Sequence, residues 1–381
     1  MKYYLIAGEA SGDLHGSNLI KQIKLQDPEA DIRCWGGDLM QQAGGTLVKH
    51  YRDLAFMGFV EVVMNLRTIL RNMDFCKQDI AAFRPDVLVL IDYPGFNMRI
   101  AKWGKAEGYE TIFYISPQVW AWKENRVKQI RETVDKMLCI LPFEQAFYEK
   151  WNYPVEYVGH PLIEVIKEAK AQPVVAPLSN KPIVALLPGS RKQEVSVKLP
   201  LMLTQAKHFP DHQFIIAQAP SLEDSFLLSL IGDQPNVSMV KGQTYTLLKQ
   251  AAAALVTSGT ATLETALFGV PEVVCYKGSP ISYFFAKRLI KVKYISLVNL
   301  VMDKLVVTEL IQDELTEANL LRELTLLLKD VPTRQRLQAD YAELWHKLGE
   351  KPASRRAAEI IVEEASHKRI SPEGSLTPGK P

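Results

Sequence analysis

Asp92 follows the apolar run VLVLI and precedes Tyr93, Pro94 and Gly95. A carboxylate at a strand end, in a loop stiffened by proline, can serve as general base toward an alcohol. It can equally be a turn aspartate that bonds its own backbone. Glu9 and Asp13 sit in GEASGD at 8–13, where Gly8 and Gly12 permit a tight turn and close backbone approach. Two acids there would repel a nucleotide phosphate, so a neutral sugar fits better. The alternative for Asp13 is a helix cap. The spacing matches neither G-x-G-x-x-G nor a P-loop.

The second half carries a different chemistry. PGSR at 188–191 and SGTATLE at 258–264 each follow an apolar run and precede a helical pattern. A strand entering a helix N-terminus through a Gly/Ser/Thr turn presents unpaired N–H groups and the positive end of the dipole, which suits an anion. The expected cradle is Gly189, Ser190, Arg191, Ser258, Gly259, Thr260, Ala261 and Thr262. Arg191 at a helix start opposes the dipole unless an anion lies between them, and a pyrophosphate would take a bidentate contact from it. Glu264, in the first two turns of the following helix, can accept from sugar hydroxyls. The plainer readings are a capping hydroxyl at Ser258 or Thr260 and a solvated arginine at 191.

These turns need strands to hold them. Apolar runs at 3–7, 31–35, 86–91, 111–115, 136–141 and 155–158 alternate with helical patterns, and a second series runs through 183–187, 213–217, 237–240, 251–257 and 272–276. Strands separated by helices of this length imply parallel βαβ units. The predicted fold is α/β, two doubly wound Rossmann-like domains facing a cleft. In open sheets of this kind ligands lie beyond the carboxyl ends of the strands, where the motifs fall. The expected division is an N-terminal domain over 1–169, a Pro-rich linker over 170–182 and a C-terminal domain over 183–348. A helix over 349–366 would pack back on the first domain or on a partner subunit, before a disordered tail at 367–381.

Two further stretches stay open at this level. SPQVWAW at 116–122 is either core packing or a ligand wall. Residues 55–73 carry Met57, Phe59, Val60, Val63 and Met64 with Arg67 and Arg71, more apolar residues than one packing stripe needs. With Lys287, Arg288, Lys291 and Lys293 they suit acyl chains or an anionic lipid surface, or form ordinary core beside a solvated basic face.

At 381 residues two domains are expected, and a net charge of +2 argues against a nucleic-acid partner. No apolar run approaches the ~18 residues of a membrane span, and the N-terminus enters a strand with no signal-peptide pattern. Four dispersed cysteines fit a reducing cytoplasm. No D-x-D occurs, so the usual carboxylate pair for a metal-bound sugar nucleotide is missing, and no metal or cofactor is expected.

GEASGD (8–13), AFMGFVEV (55–62), IDYPGFN (91–97), SPQVWAW (116–122), LPFE (141–144), VGHP (158–161), LLPGSR (186–191), SGTATLE (258–264) and AKRLIKVKYISLVNL (286–300) follow one another in an order that resembles the bacterial lipid-A-disaccharide synthases over residues 3 to 365. The resemblance implies an inverting, metal-independent GT-B glycosyltransferase. It would join UDP-2,3-diacylglucosamine to 2,3-diacylglucosamine 1-phosphate at the cytoplasmic face of the inner membrane. By the same resemblance Asp92 is the base, Glu9 the glutamate of the first loop, and Arg191 and Asn299 belong to donor binding or catalysis. A homodimer through the C-terminal helices is implied in the same way. Gly95 stands where the family usually has a second aspartate, leaving Asp92 as the only acid of its loop. The rivals are a UDP-sugar 2-epimerase, another UDP-sugar transferase, and a UDP-sugar-binding regulator without chemistry.

Overall fold

The computed structural model describes residues 1–54, 66–122, 124–278, 292–349 and 352–370. The chain divides into two compact units, Met1–Pro161 with Lys351–Pro381, and Leu162–Glu350.

The first unit is built on a seven-stranded sheet in the order β3-β2-β1-β4-β5-β6-β7, every neighbouring pair parallel. Its strands are β1 (Lys2–Ala7), β2 (Asp31–Gly36), β3 (Thr46–His50), β4 (Val87–Ile91), β5 (Glu110–Tyr114), β6 (Lys136–Cys139) and β7 (Glu156–Tyr157). Side chains alternate across a strand, so Tyr3, Leu5, Ala7, Val87, Val89 and Ile91 form one core while Tyr4, Ile6, Leu88 and Leu90 form another. Helices cover both faces, which is why these strands read as unbroken apolar runs.

The helix Ala353–Ile370 closes the first core against the helix Ala10–Gln26 of its own chain. Ala353, Ala357, Ala358, Ile361 and Ala365 are buried there, and the small side chains allow close approach. Lys136 pairs with Glu364 at 2.8 Å to fix the register. The helix also runs on through His367 to Ile370, into the stretch expected to be disordered.

The second unit carries a six-stranded parallel sheet, β10-β9-β8-β11-β12-β13. Its members are β8 (Ile183–Leu187), β9 (Gln213–Gln218), β10 (Val237–Lys241), β11 (Ala251–Thr257), β12 (Glu272–Tyr276) and β13 (Thr308–Ile311). β3 and β13 escape the sequence reading because both are short edge strands that mix polar with apolar residues.

The division falls at Pro161, earlier than the 170–182 segment expected as linker. The helix Leu162–Ala171 belongs with the second unit, where Lys170 Nζ lies 5.0 Å from the Trp345 ring centroid and 5.8 Å from that of Phe268. Residues after it are tied down too: Lys249 Nζ donates to the Gln172 carbonyl at 2.6 Å, and Leu178 N–H to Gln250 Oε1 at 2.9 Å.

Candidate active site

In each sheet the strand order reverses once, between β1 and β4 and between β8 and β11. Ligands of open parallel sheets bind at such reversals, outside the carboxyl ends. Gly8, Glu9 and Asp92 stand at the first reversal. Pro188 to Arg191 and Ser258 to Thr260 stand at the second.

At the first reversal the backbone leaves β4 through two consecutive left-handed residues, Asp92 (φ 46°) and Tyr93 (φ 49°). Non-glycine residues adopt this region at a cost, and such outliers gather at functional sites. Asn97, fully buried, holds the bend by donating to the carbonyls of Asp92 (2.8 Å), Ile91 (3.3 Å) and Ile6 (3.3 Å). Pro94 then starts the helix Pro94–Ala106. Tyr93 leans on Gly8 so closely that a Cβ at position 8 would run into its ring. Burial, and secondarily the charge of Glu9, push the Asp92 carboxyl up to about 6, against the pull of the Tyr93 N–H. A carboxylate titrating there is a better proton acceptor than a free aspartate and is still ionised at neutral pH. A raised carboxyl is what a general base needs, and the bond from the Tyr93 N–H is also what a turn aspartate makes.

Asp13 turns out to be neither a ligand acid nor the cap of its own helix. Its carboxylate accepts from the N–H groups of Gly37 (2.8 Å), Met40 (3.0 Å) and Leu39 (3.2 Å), capping the neighbouring helix Asp38–Gln42. In the aromatic stretch, Trp120 is core: its ring meets Phe143 edge-on at 4.9 Å and its indole N–H donates to Glu144 at 3.2 Å. Sequence reading passed over Glu144, which is buried and pushed up to about 7 by that burial.

The second reversal opens into a cavity of about 1010 Å³ at the carboxyl ends of β8, β9, β10 and β11. Gly189, Ser190, Arg191, Ser258, Gly259, Thr260, Ala261 and Glu264, all expected to meet a nucleotide, line it together. Gly259, with φ 145°, precedes the helix Thr260–Phe268 in a conformation that favours glycine. The hydroxyls of this turn are mostly occupied by carbonyls. Thr257 donates to Pro188 (2.8 Å), Ser258 to Ile295 (2.9 Å) and the fully buried Thr262 to Gly259 (2.8 Å). They brace the loops, and anion binding falls to the N–H groups at the helix start.

Arg191 is exposed at the rim and pairs with Glu194 at 3.2 Å, across one turn of the helix Lys192–Leu203. Glu194 also reaches Lys198 at 3.4 Å, a buried lysine whose ammonium burial pushes below its usual value. Deeper in the cavity Glu264, raised by burial, accepts from the Tyr245 hydroxyl at 2.7 Å.

Asn299 does not reach the cavity as expected. It is fully buried; Nδ2 donates to the Val307 carbonyl and Glu309 Oε1, both at 2.9 Å, and Oδ1 accepts from Val306 (2.8 Å) and Val307 (3.0 Å). Its amide is saturated within the protein. Met57, Phe59, Val60, Val63 and Met64 lie outside the described residues, as do Lys287, Arg288 and Lys291. Arg67 is exposed at the start of the helix Leu66–Phe83, and Lys293 lies 3.7 Å from Asp303. His208 and His212 stand four apart, a ligand spacing, yet His208 faces Glu317 at 2.8 Å and His212 meets Phe209 edge-on. Among the described residues no group of three or more His, Cys, Asp or Glu could hold a metal ion. Among them, too, no helix is long and apolar enough to cross a membrane.

Solved structures share the fold. The glycotransferase of kitacinnamycin superposes with a TM-score of 0.65 at 14% identity, covering 95% of this chain and 98% of that one. A UDP-bound S. aureus MnaA gives 0.68 at 11% identity, covering 97% of each. A Neisseria meningitidis UDP-GlcNAc 2-epimerase bound to UDP-GlcNAc gives 0.60 at 12% identity, covering 96% of this chain and all (100%) of that one. In sequence, lipid-A-disaccharide synthases are far nearer. That of Geobacter metallireducens is 40% identical over 374 residues, 96% of this chain and 97% of its own length. That of Syntrophus aciditrophicus is 39% identical over 368 residues, 94% of this chain and 96% of its own. The family model for lipid-A-disaccharide synthetase matches residues 3–365, and with the two-sheet α/β fold of GT-B glycosyltransferases beneath it, the chain belongs to that family.

Proposed function

We propose that this protein transfers a 2,3-diacylglucosamine unit from its UDP derivative to 2,3-diacylglucosamine 1-phosphate, giving the β-1,6-linked disaccharide 1-phosphate and UDP. The observation that carries the reading is the cavity at the β8/β11 reversal, lined by the helix-start residues Gly259, Thr260 and Ala261, with Arg191 at its rim and Glu264 within. A pyrophosphate suits the helix N-terminus and the guanidinium, and a ribose diol suits the Glu264 carboxylate. The UDP and UDP-GlcNAc bound in two structures of this fold belong to the same ligand class.

Asp92 takes the proton of the acceptor 6-hydroxyl as that oxygen bonds to the anomeric carbon. The bond from that carbon to the β-phosphate oxygen breaks with its electrons passing to UDP, and the configuration inverts. Charge growing on the leaving pyrophosphate is met by the helix N–H groups and Arg191. Glu9 keeps the Asp92 proton affinity high. Asn299 serves by holding the loop beside the cradle, not by touching the donor. The acylated substrates suit an enzyme working at the cytoplasmic face of the inner membrane, where the exposed Arg67 would meet anionic headgroups.

The test mixes UDP-diacylglucosamine with the monosaccharide 1-phosphate and follows disaccharide by mass spectrometry. Disaccharide formed only when both are present supports the reading. A UDP-sugar interconverted without acceptor, and no disaccharide, would replace it with the epimerase chemistry named for neighbours of this fold.

A further inference from the structure

Glu309 lies on β13, paired with Val274 of β12, and its side chain reaches back to the turn that leads into the helix Leu297–Met302. Its carboxylate accepts from Ile295 N–H at 3.0 Å, Ser296 N–H at 2.9 Å and Asn299 Nδ2 at 2.9 Å. Three donors on one carboxylate, two of them backbone, fix the 295–299 turn from an adjacent strand. The carbonyl of Ile295, now fixed, accepts the Ser258 hydroxyl at 2.9 Å. Ser258 is the first residue after β11 and precedes Gly259, the N-cap of the helix whose first residues line the cavity.

We propose that Glu309 is a positioning residue of the nucleoside-diphosphate site: it sets the Ile295 carbonyl, which through Ser258 sets the pitch of the Gly259–Thr260 backbone against the pyrophosphate. The inference rests on the UDP-sugar reading of the cavity. It also gives Asn299 its place, since that amide bonds the same carboxylate while clamping Val306 and Val307. Charge-assisted bonds to backbone N–H groups are directional and stronger than neutral ones, so a carboxylate holds this turn better than an amide, which would present an N–H to donors.

Titration calorimetry with UDP on the wild-type protein separates the two levels. No UDP binding by the wild type would overturn the reading of the cavity, and this inference with it. Given wild-type binding, Glu309→Gln is expected to weaken UDP by about tenfold and to raise the donor KM, with the acceptor KM unchanged. The double variant with Ser258→Ala should bind no more weakly than the worse single variant, because both break one relay. UDP affinity within about twofold of wild type, or losses that multiply fully in the double variant, would overturn it. So would equal losses in donor and acceptor KM, the mark of a general loosening. Should Glu309→Gln fail to fold, Glu309→Asp, which keeps the charge one methylene short, carries the same comparisons.

Discussion

The Tyr245 hydroxyl lies 2.7 Å from Glu264 Oε1, and both residues line the cavity at the β8/β11 reversal. The tyrosine follows β10, the glutamate follows β11, and the bond between them aims the carboxylate. The phenol lowers the proton affinity of a glutamate that burial raises. Removing the hydroxyl in Tyr245→Phe leaves burial unopposed and the carboxylate unaimed. UDP affinity should fall about 3- to 10-fold, and more at low pH than at neutral pH. Calorimetric titrations at two pH values check both points.

Asp92→Asn should lower turnover by about 10²–10⁴-fold with UDP affinity unchanged. In the wild type, kcat/KM should fall as pH drops through about 6, where Asp92 takes up its proton. Glu9→Gln removes a like charge, lowers that proton affinity, and should move the acid limb to lower pH. An acid limb unmoved in Glu9→Gln would detach Glu9 from Asp92.

The same shift is a statement about stability. Asp92 binds its proton more tightly in the folded chain than the ordinary value of 3.8 allows, so stability is lost as pH rises from 3.8 through about 6. At pH 7 the folded protein therefore bears a cost of about 3 kcal/mol, which Asp92→Asn relieves. The inactive variant should melt higher than wild type at pH 7, and the advantage should shrink below pH 4. Equal melting temperatures at pH 7 would mean the carboxylate is not strained by its burial.

Among the described residues Arg191 pairs with Glu194 alone, on an exposed rim, an arrangement of little worth to the empty protein. Arg191→Ala should leave thermal stability within about 0.5 kcal/mol and weaken UDP by about 10–100-fold. Arg191→Lys should recover part of that, because a lysine supplies the charge without the planar fork. Calorimetry on the three proteins decides between a ligand contact and a solvated side chain.

Gly8→Ala places a methyl against the Tyr93 ring. The ring must move, and with it the left-handed bend that presents Asp92. Expected outcomes are a loss of about 1–3 kcal/mol in stability and a fall in kcat with UDP binding intact. Combining it with Tyr93→Ala should restore stability but not rate.

Local chemistry is what a linear reading captures. Unbroken apolar runs such as VLVLI and IVALL mark strands covered on both faces, and the glycines and hydroxyls after them mark turns at helix starts. From these alone Asp92, PGSR and SGTATLE could be placed at carboxyl ends, because parallel βαβ chirality leaves little choice. The short edge strands β3 and β13 could not, since four or five mixed residues carry no periodicity. Nor could the partners that give each site residue its meaning. Asp13 caps a helix 24 residues on, Tyr245 aims Glu264 from the helix after β10, and Glu309 with Asn299 braces the turn that holds Ser258. Residue type and spacing determined which side chains stand at the ends of strands. Which of them touch was decided by strand order and packing, because a hydrogen bond lasts about 3 Å and only the folded sheet brings such distant positions that close.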